Sequence, residues 1–103
     1  MSKIYFDNAA TTPISNDVVE IMYQVMKNNF GNPSSIHSFG RESRSIIELT
    51  RKNISEELNV KPSEIIFTSG GTESNNMIIK GAVETHKIER IITTKIEHKA
   101  VLE

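Results

Sequence analysis

Two short runs rich in β-branched and aromatic residues, Ile65-Ile66-Phe67 and Arg90-Ile91-Ile92-Thr93-Thr94, stand on either side of a segment with helical periodicity. That alternation constrains the fold more than any other feature, because strand, helix and strand in this order predict an α/β protein with a partly parallel sheet. Helical periodicity also recurs upstream. Val18, Ile21, Met22, Val25 and Met26 fall at i, i+3, i+4, i+7 and i+8. They form one apolar stripe on a helix that Ser15 or Asn16 caps and Gly31-Asn32-Pro33 stops. A second helix is predicted from Phe39 to Leu58, with Phe39, Ser43, Ile46, Ile47, Thr50, Ile54 and Leu58 on its inner face. A third runs from Glu73 to about His86, with Ile79, Ala82 and Val83 on one side, and another begins at His98. Ahead of them Ile4-Tyr5-Phe6 reads as a short strand that ends in the turn chemistry of Asp7-Asn8.

Two or three strands make a poor parallel sheet, which needs cover on both faces, and the last helix has only begun at Glu103. The pattern predicts an interrupted domain. The 103 residues suffice for one small domain or part of a larger one, able to bury roughly 60–70% of its unfolded surface. Twelve basic residues against thirteen acidic ones, without a block of like charge, give neither a nucleic-acid footprint nor a polybasic membrane patch. The chain has no cysteine, which excludes a disulfide framework and a thiolate metal site. Met22 and Met26 are core residues by helical spacing and not metal ligands. No apolar stretch approaches the ~20 residues of a membrane span, and the start lacks the apolar region of a secretory signal. A soluble cytoplasmic protein is the expectation.

The strongest local signal for chemistry is Phe67-Thr68-Ser69-Gly70-Gly71-Thr72-Glu73-Ser74, a strand running through a Gly-Gly turn into a helix. Glycines let the backbone approach a ligand, and free N–H groups at a helix start point at an anion. Thr72 adds a hydroxyl there, and a phosphate is the natural guest. The plainer reading is a tight turn with Thr72 as helix cap, since neither the Walker nor the dinucleotide glycine spacing is present. His98 follows the second predicted strand, at the edge where ligands gather in α/β sheets. Its imidazole suits stacking on a planar ring or moving a proton, or else simply caps a helix. Lys99 beside it, flanked by charge, reads as a solvated lysine. His37 and Arg41, four apart after a helix stop, either bind an anion together or are polar residues on an exposed loop. His86 is placed late in a helix, where it suits the dipole.

These pieces in this order resemble the cysteine desulfurases of the NifS/IscS type, within the class V aminotransferase group of fold-type I pyridoxal-phosphate (PLP) enzymes. The matching segments begin with Tyr5-Phe6-Asp7-Asn8-Ala9-Ala10-Thr11-Thr12-Pro13 and Gly31-Asn32-Pro33-Ser34-Ser35-Ile36-His37. They continue with Phe67-Thr68-Ser69-Gly70-Gly71-Thr72-Glu73-Ser74-Asn75-Asn76 and Glu97-His98-Lys99-Ala100-Val101. The resemblance implies that the chain is the first part of a fold-type I transferase, an α/β large-domain sheet with flanking helices. Residues 1–15 would pack with the small domain and active site, and residues 16–103 would open the large PLP-binding domain. It implies PLP phosphate on Gly71 and Thr72, and His98 stacked on the pyridine ring and assisting proton transfer. Asn8, Ala9 and Thr11 would lie near the substrate, and His37 near the active site at a homodimer interface. The implied reaction moves sulfur from L-cysteine to an enzyme cysteine as a persulfide, leaving L-alanine. Sulfur passes to an acceptor or scaffold protein for iron–sulfur cluster or thiocofactor assembly. With no cysteine and no Schiff-base lysine of its own, the 103-residue chain is expected to be inactive alone. A stand-alone interaction module of the same ancestry and a piece of another class V aminotransferase are the other readings of these residues.

Overall fold

The structure, a computed structural model, describes residues 3–102. Four α-helices follow one another: α1 (Asn16–Asn28), α2 (Ser38–Glu57), α3 (Gly71–His86) and α4 (Lys99–Leu102), with a 3₁₀ turn at Pro62–Glu64 between α2 and α3. The chain divides into two compact units, Met1–Pro62 and Ser63–Glu103.

In the first unit, α1 begins one residue after Ser15, whose side chain makes no capping bond. Asp17 in the first turn and Lys27 in the last complement the helix dipole. Its polar side is laced by i,i+4 contacts, Gln24 Nε2 to Glu20 Oε1 at 2.7 Å and Asn28 Nδ2 to Gln24 Oε1 at 3.3 Å. The helix ends at Asn29, whose N–H donates to the Val25 carbonyl at 2.9 Å, two residues before the predicted glycine stop. Gly31 serves a different purpose. A Cβ there would lie 2.2 Å from the Phe39 carbonyl oxygen, and one on Gly40 would lie 2.5 Å from that of Ser35. The loop from Gly31 therefore folds back onto the first turn of α2, backbone against backbone, with space only for hydrogen. Asn32 shapes the bend by accepting the Ser34 N–H on Oδ1 at 2.9 Å and the Ser35 N–H on its carbonyl at 2.9 Å. Phe30 and Phe39 cover the closure, ring centroids 5.3 Å apart.

α2 ends in a Schellman motif: the Asn59 N–H donates to Glu56 and the Val60 N–H to Ser55, with Asn59 left-handed at φ 53°. The predicted inner face is covered in part. Ser43 is buried and Ile46, Ile47 and Ile54 are half-buried, whereas Phe39, Thr50 and Leu58 are exposed. In the second unit α3 ends at Lys87, again left-handed at φ 50°. Its Ile79, Ala82 and Val83 are half-buried, as their spacing predicts, and α4 packs against this helix with Ala100 buried.

Two expectations are corrected. None of the described residues is in a strand, so the runs at 65–67 and 90–94 are neither helix nor sheet here and the α/β sheet is not formed. A parallel strand needs a paired neighbour and cover on both faces, and Ile66 and Ile92 stand 64% and 90% exposed. The stripe on α1 is also not a core, since Met22 and Met26 are 48% and 77% exposed. Spacing put these residues on one face, but no element of the described residues covers it.

The glycines give a direct check. Gly31→Ala should destabilise the first unit by on the order of 1–3 kcal/mol, the usual cost of forcing atoms into filled space. Gly81→Ala, mid-helix with nothing within 4 Å of its Cβ, should stabilise α3 by about 0.5–1 kcal/mol. Urea unfolding followed by circular dichroism reads both, and equal midpoints for the two variants would contradict the close approach at Gly31.

Candidate functional site

The segment from Thr68 into α3 is organised by side chains that tie the turn to the helix start. The first ladder bond of α3 runs from the Ser74 N–H to the Gly70 carbonyl at 3.1 Å. The N–H groups of Gly71, Thr72 and Glu73 therefore stand ahead of the ladder without intrahelical acceptors. Gly70, the N-cap, is extended at φ 164° and brings no side chain. Its carbonyl also accepts from Thr68 Oγ1 and Ser74 Oγ, each at 3.3 Å, and those two hydroxyls meet at 2.7 Å. On the other side, Glu73 Oε2 accepts both the N–H and the hydroxyl of Ser69, at 2.6 and 2.7 Å. These two bonds, the backbone one first, hold the Glu73 carboxyl below its ordinary value against a weaker opposing effect of burial.

Gly70 and Gly71 contrast with Gly31 and Gly40. A Cβ on either would meet nothing within 4 Å, so the chain's own packing does not require glycine here. What glycine leaves is open space at Gly70 and Gly71, beside three N–H groups without intrahelical acceptors at the positive end of a sixteen-residue helix, which suits an anion. A cleft of about 230 Å³ beside the turn is lined by Glu64, Ile66, Thr68, Ser74, Met77 and Ile78. It is a poor rival, since its two hydroxyls are bonded to each other and its one charge is negative.

Both candidate histidines cap helices through the same atom. His98 Nδ1 accepts the Ala100 N–H at 3.1 Å, and its carbonyl accepts the Val101 N–H at 2.8 Å, starting α4. His37 Nδ1 accepts the Gly40 N–H at 3.3 Å, starting α2. A ring nitrogen that accepts carries no proton, so in this arrangement each imidazole bears its proton on Nε2. The capping alternative is realised at His98, whereas the cap at His37, read from sequence as an anion ligand or a loop residue, is a finding of the structure. The guanidinium of Arg41 donates to the Ile36 carbonyl, so neighbouring backbone, of the loop at Arg41 and of the first turn of α2 at His37, engages both members of the pair. Lys99 is exposed.

Asn8, Ala9 and Thr11 lie on one exposed turn in which the Ala10 and Thr11 N–H groups donate to the Asp7 carbonyl at 3.1 and 3.3 Å. The Asn8 amide reaches the Tyr5 carbonyl at 3.5 Å, and the Tyr5 hydroxyl meets Thr11 Oγ1. These residues and His37 belong to the first unit; Gly71, Thr72 and His98 belong to the second. There Gly71 and Thr72 open α3, and His98 opens the helix that packs on it. The residue that sequence reading missed is Glu73. A capping box pairs an N-cap Ser or Thr with a Glu three residues on, and here the N-cap is Gly70 while the Ser lies one position earlier. Reading Ser69-Gly70-Gly71-Thr72-Glu73 as a box stretched by one residue would have found it.

Comparison with known proteins places this geometry among relatives. The Aminotransferase class-V family profile matches residues 4–103. A cysteine desulfurase IscS of Dictyoglomus turgidum is 57% identical over 104 residues, covering 98% of this chain and 26% of that protein. A putative cysteine desulfurase IscS 1 of Bacillus subtilis is 52% identical, covering 99% of this chain and 27% of its own length. Among solved structures, a NifS-like protein superposes with a TM-score of 0.85 at 48% identity, over 98% of this chain and 28% of the other. The chain thus spans about a quarter of the length of the relatives it matches.

The Ser69–Glu73 clasp has a defined pH dependence. Because the folded Glu73 titrates below its ordinary value, the clasp contributes fully above the ordinary carboxylate range and is lost as pH falls through the lower folded value. In an amide exchange series, Ser69 should keep its protection through the range where exposed carboxylates titrate and lose it below. Loss together with the exposed carboxylates would contradict the clasp.

Proposed function

We propose that this chain, which belongs to the class V aminotransferase family, supplies the phosphate-anchoring segment of a PLP-dependent cysteine desulfurase. One observation carries the reading: after Gly70 the N–H groups of Gly71, Thr72 and Glu73 stand ahead of the α3 ladder, and nothing lies within 4 Å of where a Cβ on Gly70 or Gly71 would be. There the Gly71 and Thr72 N–H groups and the Thr72 hydroxyl would donate to phosphate oxygens, and the helix dipole would add roughly 0.3–1 kcal/mol for a negative charge, up to ~2 when partly buried. When bound, PLP supplies an electron sink for the substrate's amino acid carbons.

With PLP bound, His98 would stack on the cofactor ring, its Nε2 proton available as a hydrogen-bond donor. For the ring to take up a proton, Nδ1 must release the Ala100 N–H, so proton movement at His98 is linked to the first bond of α4. The Asn8, Ala9 and Thr11 turn lies on the substrate side and His37 near a homodimer interface, with residues 1–15 packing with the small domain and residues 16–103 forming the first portion of the large PLP-binding domain. The reaction is L-cysteine plus a thiol giving L-alanine plus a persulfide. The accepting thiol is not one of this chain's residues, which include no cysteine. Sulfur then passes to an acceptor or scaffold protein for iron–sulfur cluster or thiocofactor assembly, in the cytoplasm. Among the described residues no helix is long and apolar enough to cross a membrane.

A chimera tests the assignments, with this chain in place of the matching quarter of the Dictyoglomus turgidum relative. Thr72→Val removes one hydrogen bond to a charged group, about 1.5–3 kcal/mol, and should weaken cofactor retention roughly ten- to a hundredfold. His98→Ala should keep most of the cofactor, since stacking adds only about 0.5–1.5 kcal/mol beyond burial, while slowing single-turnover alanine formation. Tight retention by Thr72→Val with normal turnover by His98→Ala would overturn the site.

A further inference from the structure

The two glycines at the centre of the cradle have no packing contact to fix them. Gly70 and Gly71 have no Cβ to pack and nothing within 4 Å of where one would be, and glycine loses more freedom on ordering than any other residue. Gly70 also caps α3 without a side chain. Directed N–H groups at such a position need an outside restraint. On one flank it is the Thr68–Ser74 hydroxyl pair on the Gly70 carbonyl. On the other it is Glu73, whose Oε2 takes both donors of Ser69. We propose that Glu73 is a positioning residue for the phosphate cradle, fixing the path of residues 69–71 so that the Gly71 and Thr72 N–H groups converge on one point. This rests on the reading of that turn as a phosphate site and deepens it.

The charge of Glu73 sharpens the argument. A carboxylate in the first turn repels an arriving phosphate, so as a bare charge Glu73 would oppose binding, and its removal would strengthen it. As a clasp it favours binding, and its removal would weaken it. The two roles predict opposite signs. The lowered carboxyl of Glu73 agrees with a clasp that engages the charged form.

Pyridoxine 5′-phosphate, which lacks the aldehyde and forms no adduct with lysines, is titrated into ¹⁵N-labelled 103-residue chain and followed at the Gly71 and Thr72 amides. Glu73→Ala should weaken binding about three- to tenfold, a cap's worth of restraint, and should speed Ser69 amide exchange without ligand. Glu73→Gln keeps an acceptor for Ser69 and drops the charge, so it should bind at least as tightly as the parent with Ser69 still protected. Equal tightening in both variants would make Glu73 a charge alone and overturn the proposal while leaving the cradle standing. Absence of any shift at Gly71 and Thr72 in the parent chain would remove the cradle, and with it the role of Glu73.

Discussion

An apolar helix face gains free energy only against a partner, and that constraint governs everything this chain does. Ala100 is the one buried apolar residue among those described. The helices are therefore held by local devices: caps, left-handed C-terminal residues, i,i+4 pairs and the backbone contact at Gly31 and Gly40. A stripe such as Val18, Ile21, Met22 and Met26 is cohesive in pattern and without cover in fact. A protein of the relatives' length, of which this chain spans about a quarter, has the material to cover such faces and to flank the two β-prone runs.

Within that frame four of the glycines, those in the two turns, divide into two kinds. Gly31 and Gly40 are demanded by the chain itself, since a methyl group at either would overlap a carbonyl. Gly70 and Gly71 answer no such demand, and they stand where a helix offers three donors and a positive dipole. A small residue that packing does not require, beside donors that the ladder does not use, points to a guest. Thr68, Ser69, Glu73 and Ser74 then make sense as a collar of hydrogen bonds that orders the turn in advance, lowering what binding must spend on ordering.

Much of this was legible in the sequence because it is local. The stripe on α1, the extent of α2 and the half-buried side of α3 follow from spacing and come within a residue or two of the observed bounds. The Gly-Gly turn opening a helix was legible for the same reason. Strands were not, because a strand is a property of its neighbours: Ile91 and Ile92 favour one, but nothing in their own residues supplies the adjacent edge. Gly31 was misread as a helix stop because its reason, a Phe39 carbonyl 2.2 Å from where its Cβ would be, lies eight residues away. Glu73 was overlooked because its partner sits one position off the usual capping spacing. His37 and His98 show the limit of single-residue reading, since in each the helix cap is made by Nδ1 and engages only one of the two ring nitrogens.

The central claim, that these residues complete a PLP site in a desulfurase, is tested most directly by the visible spectrum and alanine yield of the unmutated chimera with the Dictyoglomus turgidum relative. The account predicts a folded protein that retains PLP through gel filtration, with cofactor absorbance near that of the unaltered relative, and that forms alanine from L-cysteine. A folded chimera that emerges without cofactor, or holds it and makes no alanine, would contradict it.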